Sequence, residues 1–137
     1  LYRRSLTDRA GPWTDLRLEE DWEYDCRIAS LGVRLAWCDA FVCEVRDHDE
    51  ARLSRGIALD AARLRHRAAA HTLIRRHAAA ANLPAASPEM RHFERALFLL
   101  ARQCGAAGLE PESRSLFRLA REIARESKAR GLDYAVY

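Results

Sequence analysis

At 137 residues and 15.6 kDa, the chain is long enough for one modest domain or for half of a larger one. Hydrophobic residues at 49% and charged residues at 31% give the balance of a globular protein, and no run approaches the roughly 18–20 apolar residues that cross a bilayer. Charge is divided: residues 1–50 carry a net of −5 and residues 51–137 a net of +8, so the two segments are expected to do different work. A start of Leu1-Tyr2-Arg3-Arg4, with Met90 as the only methionine, lacks the layout of a signal peptide and reads as a fragment or processed piece. Cys26, Cys38, Cys43 and Cys104 show no CxxC spacing, which favours reduced thiols and a cytoplasmic location.

The first segment alternates short elements with turn signals. Leu1 to Arg4 reads as the end of a strand, and Ser5 can cap a short helix through Ala10, stopped by Gly11-Pro12. The acidic run Glu19-Glu20-Asp21 opens a helix from Glu20 to Leu31 with Trp22, Cys26 and Ala29 on one face, closed at Gly32; acid at a helix start suits its dipole. Val33 to Trp37 and Phe41 to Val45, rich in β-branched and aromatic residues, read as two short strands. From about Ala51 strand formers disappear. A long helix is expected from Ile57 to Asn82, with Leu59, Ala62, Leu64, Ala69, Leu73 and Ile74 as an imperfect apolar stripe. Ser87-Pro88-Glu89 is a strong start for a helix running to about Ala107, and after Gly108 a last helix begins at Pro111 and stops at Gly131, forming a helical hairpin. The fold class expected is therefore an α/β fragment, mostly α, with two short strands (domain 1–56) followed by a three-helix tail (domain 57–137).

Chemistry concentrates around Leu18-Glu19-Glu20-Asp21-Trp22-Glu23-Tyr24-Asp25-Cys26-Arg27. This run is preceded by Arg3-Arg4 and Gly11-Pro12-Trp13 and followed by Gly32, by the expected strands, by Arg46 and His48, and by Ser54-Arg55. The ordered set resembles the acceptor-side, C-terminal part of a family-two glycosyltransferase of GT-A fold, over residues 1 to about 56. The resemblance implies transfer of a sugar, with inversion, from a nucleotide diphosphate to a hydroxyl acceptor. It casts Asp21 as the general base, a role for which a carboxylate within hydrogen-bond reach is suited, and Glu20 as the group orienting Asp21 or the acceptor. His48 would approach the diphosphate or a divalent metal, Mn²⁺ or Mg²⁺, and Trp22 and Trp13 would flank the acceptor sugar. The donor-binding half of the fold, with its metal-chelating acidic pair, is not among these residues, so the chain by itself is expected to be inactive. Asp47-His48-Asp49 falls on the wrong side of the Glu-Asp pair to replace it.

Plainer roles compete at each position. Asp21 can simply complement the helix dipole, His48 can be a solvated loop residue, and Trp22 can belong to the core, one turn before Cys26. Arg27 is expected to pair with acids of its own helix. Arg63, Arg65, Arg67, Arg75 and Arg76 read as a solvated face of the long helix, and His66, His71 and His77 lack a consistent metal spacing. The alternative function is a helical protein-interaction or membrane-surface module without catalysis. Nucleic acid is not an expected partner, whereas peripheral membrane contact and a homodimer through an exposed apolar face stay open.

Overall fold

The computed structural model describes residues 2–37, 39–44 and 60–127. Among them are five helices: α1 (Arg4–Ala10), α2 (Glu20–Ala29), α3 (Ala61–Ala80), α4 (Pro88–Ala106) and α5 (Glu110–Glu126). Their ends follow local chemistry. Asp60 caps α3 by accepting a hydrogen bond from the Arg63 amide at 2.7 Å, and Ser87 caps α4 from the Met90 amide at 3.3 Å with Pro88 in the first turn. Gly32 (φ 71°) follows the end of α2 and Gly108 (φ 74°) turns the chain between α4 and α5, both in the left-handed region where a side chain is disfavoured.

α4 and α5 pack along each other as a hairpin, and α3 lies against both. The main core is theirs: Leu64 and Ile74 of α3, Phe93, Leu97 and Leu100 of α4, and Leu116 and Ile123 of α5 are all buried. Ala68, Ala78, Ala101 and Ala120 are buried beside them and let the helices approach closely. On another side α3 receives α2, which buries Tyr24 and Ile28, and α1 rests on α2.

The expected α/β class is corrected: among the described residues no strand forms, and the fold is helical. Val33 to Trp37 and Phe41 to Glu44 carry strand-forming residues but pair with no ladder, and beyond the partly buried Val33 their large apolar side chains stand in solvent, Leu35 at 92% and Trp37 at 90% exposure. Composition alone makes no strand, because the backbone hydrogen bonds need a second strand. Cys38, Val45 and the segment around His48 and Ser54-Arg55 lie outside the described residues, as do Leu59, the expected start of α3 at Ile57 and the expected stop at Gly131. Tyr2 and Arg3 are not in a strand, and α1 begins at Arg4 without a side-chain cap from Ser5. The stripe expected on α3 is also redrawn: Leu64 and Ile74 are buried, but Ala62 and Ala69 are exposed.

Because Leu97 is fully buried at the centre of the hairpin, Leu97→Ala is expected to lower stability by about 2–5 kcal/mol. Urea unfolding followed by circular dichroism measures this.

Candidate functional site: the acidic first turn of α2

Five carboxylates fall between residues 19 and 25, and helical geometry divides them. Glu19 and Glu23, four apart, face α3. Glu23 is almost wholly buried, and one of its carboxylate oxygens lies 2.8 Å from His77 Nε2. It also receives two guanidinium hydrogen bonds from Arg27, at 3.1 and 2.7 Å, and one from the Thr14 hydroxyl at 3.0 Å. Glu19 accepts from Arg67 Nε at 2.8 Å, and its other oxygen sits 2.9 Å from His71 Nδ1. That second approach lies outside hydrogen-bond angles, leaving the buried Oε2 held by proximity alone, while the His71 Nδ1 also meets the Arg67 carbonyl at 3.0 Å. The pairing of Arg27 with an acid of its own helix is found as expected. The opposing set on α3 (Arg67, His71, His77) was not legible, since its partners lie about fifty residues away.

Burial, the largest influence on both acids, pushes their carboxyls up. His71 and Arg67 outweigh it at Glu19, and Arg27, His77 and Thr14 outweigh it at Glu23, so both are held below the usual carboxylate range. Glu19 also sits in the left-handed region at φ 60°, a conformation that costs a non-glycine residue about 1 kcal/mol and that its contacts to α3 hold in place.

The remaining acids point outward. Asp21 is exposed, its Oδ1 accepts from the Trp22 amide at 2.7 Å, and it makes no ion pair among the described residues. Glu20, the first residue of α2, is half-buried. Asp25 accepts a hydrogen bond from the Tyr2 hydroxyl, which raises the Tyr2 pKa to about 12. The two tryptophans take different partners. Trp13 stacks on Tyr24 with centroids 4.6 Å apart and is 54% exposed, while Trp22 meets His71 edge-on at 5.5 Å and is 42% exposed. Trp22 is therefore a rim residue and not core. Glu20, Asp21 and Trp22 share one turn, Trp13 reaches α2 one turn further on, and His48 lies outside the described residues.

Arg27 fixes the approach to this turn. Held by Glu23, it donates to the Ala10 carbonyl at 3.0 Å and the Pro12 carbonyl at 2.8 Å, and it lies over the Tyr24 ring at 5.1 Å. The Gly11-Pro12-Trp13 loop is thereby tied to the helix that carries Asp21. Among the described residues no three His, Cys, Asp or Glu side chains converge to hold a metal ion. An open groove of about 500 Å³ between α3 and the start of α5, lined by Arg65, Thr72, Arg76 and Ser115, does not include the acidic turn.

No protein-family model, curated protein or solved structure matches the chain. No helix among the described residues is long and apolar enough to cross a membrane.

Two outcomes are expected. Glu23→Ala strands the Arg27 and His77 groups and lowers stability by about 3 kcal/mol, read by denaturant unfolding at neutral pH. Both carboxyls are depressed on folding, so their contribution is fully present above about pH 4.5, the unfolded value, and is lost as pH falls through their lower folded values. The double variant Glu19→Gln/Glu23→Gln should therefore show a shallower acid loss of stability than the parent when unfolding is followed from pH 6 to pH 2.

Proposed function

We propose that the chain supplies the acceptor side of an inverting, nucleotide-sugar-dependent glycosyltransferase, with Asp21 as general base. The supporting observation is the division of the acids: Glu19 and Glu23 are engaged in holding α2 to α3, which leaves the Asp21 carboxylate exposed, without an ion pair among the described residues, on a turn fixed from behind. In the reaction Asp21 takes the proton of the acceptor hydroxyl as its oxygen bonds to the anomeric carbon of the donor. The bond from that carbon to the diphosphate breaks, and configuration inverts. Glu20, beside Asp21, orients the acceptor, and the half-exposed rings of Trp13 and Trp22 offer apolar faces to a sugar.

The donor site, the divalent cation and the His48 contact belong to the other side of this reaction, and the proposed partner is the donor-binding half of the same enzyme. The apolar run Leu35, Trp37, Phe41 and Val42, each at least 73% exposed, is the surface we assign to that partner, because isolated chains rarely leave such a group uncovered.

The test is Asp21→Asn in a form of the protein joined to its donor-binding half. Transfer should fall by at least about a hundredfold, while nucleotide-sugar binding, measured by calorimetry, stays unchanged. Because Asp21 is exposed, unfolding stability should move by no more than about 0.5 kcal/mol. Retained transfer refutes the base assignment.

A further inference from the structure

Two acids of α5 are drawn to α3. Glu112 pairs with Arg65 of α3 at 3.4 Å, and Glu126 pairs with Arg75 of α3 at 3.3 Å. Glu94 of α4 is buried, and Glu110 is held by Arg114 at 3.0 Å. Arginines occupy the other side. On α4, Arg91, Arg95 and Arg102 are exposed and recur with Phe98 at i, i+4, i+7 and i+11, a stripe spanning about 60° of the helix. On α5, Arg114, Arg118, Arg121 and Arg125 are exposed and follow the same spacing. Both stripes lie opposite the residues that reach α3, Phe93 on α4 and Leu116 on α5.

The seam between the stripes is aromatic. Phe98 and Phe117 meet at 6.1 Å and Arg121 covers the Phe117 ring at 5.9 Å, while Leu99, about 100° round α4 from Phe98, stands 57% exposed on the other flank of the α4 row. Glu122, exposed next to Arg118, is the remaining acid of α5, and Glu89 sits at the start of α4, away from the stripe.

We propose that this outer face of the α4–α5 hairpin docks on an anionic lipid surface. Six guanidinium groups in two parallel rows, with Arg114 paired to Glu110 at the end of one row, complement a plane of negative headgroups, and arginine binds phosphate in bidentate fashion. The outer edges of the partly buried phenylalanines between the rows, and the exposed Leu99 flanking the α4 row, can enter the headgroup boundary, where a nucleic acid backbone offers nothing apolar to receive them. The long helix α3 offers no comparable row, because its Arg65, Arg67 and Arg75 are engaged by Glu112, Glu19 and Glu126, and the exposed Arg76 stands apart from the hairpin stripes. The inference stands independently of glycosyl transfer.

The test is co-sedimentation of the 137-residue chain with vesicles of phosphatidylcholine alone or with roughly 30 mol % phosphatidylserine. Binding should require the anionic lipid and weaken strongly between about 0.1 M and 0.5 M salt. Arg95→Gln/Arg118→Gln/Arg121→Gln should reduce it by about a hundredfold. The triple variant Arg17→Gln/Arg34→Gln/Arg76→Gln removes the same charge from exposed positions elsewhere and should reduce it less than about tenfold. Circular dichroism confirms that both fold. Equal losses in the two variants, binding to neutral vesicles, no binding to either vesicle, or tighter binding to a duplex oligonucleotide would each overturn the proposal.

Discussion

The Glu23 carboxylate is the interaction on which the N-terminal side of the structure depends. It is almost wholly buried and shared by Arg27, His77 and Thr14, so a single acid joins α2 to α3, to its own last turn and to the preceding loop. A ten-residue helix has too little apolar surface and too few hydrogen bonds to persist by itself, and α2 owes its order to this docking. Apolar contacts would allow α2 to slide or roll. Charged hydrogen bonds with fixed directions do not, and through Arg27 the same constraint extends to the carbonyls of Ala10 and Pro12. The position of Asp21 is a consequence: with Glu19 and Glu23 anchored inward, the helical turn carries the intervening acid outward.

The two ends of the sequence resolve their charge by the same rule. An acid that meets a cation of α3 is drawn to that helix, and the groups left over define an outer face. Around α2 the remainder is acidic, with Asp21 exposed. On the α4–α5 hairpin it is basic, because Glu112 and Glu126 are drawn to α3 while the arginines of α5 are not. Net charges of −5 and +8 in the two halves thus become faces, although the sums do not reveal which residues compose them.

Legibility in the sequence follows the range of the forces involved. Ser87-Pro88, Gly108 and the end of α2 near Gly32 could be read directly, because caps and left-handed turns are decided within a few residues. The acidic turn could be located, and the partner of Arg27 with it, since i, i+4 pairing is local. The docking of Glu19 and Glu23 on His71 and His77 could not, because it joins residues about fifty apart that carry no shared pattern. It also explains why α3 looked like an imperfect apolar helix: part of its inward face is polar and paired, with His71 buried between Trp22 and Phe93. Val33 to Trp37 misled for the opposite reason. Strand propensity measures fitness for a pleated, half-buried surface, and here the described residues supply no such surface.

Taken together, the two proposals constrain each other through geometry. α2 and α5 pack on different sides of α3: Arg67, His71 and His77 face the acids of α2, while Arg65 and Arg75 face those of α5. The basic face lies beyond the hairpin, away from α3, so the whole thickness of a helix separates it from the acidic turn. That is about 10 Å, comparable to the Debye length at physiological salt, so the carboxylates scarcely weaken the attraction of the arginines for negative headgroups. The same field repels the acidic turn from the surface. A chain seated by its hairpin would hold Asp21 on the side away from the lipid headgroups, where a base must be if it is to meet an acceptor arriving from water. If both proposals hold, an acceptor embedded in the membrane could be reached only from the edge of the docked face, and attachment would bear on acceptor choice through the one helix that both ends share.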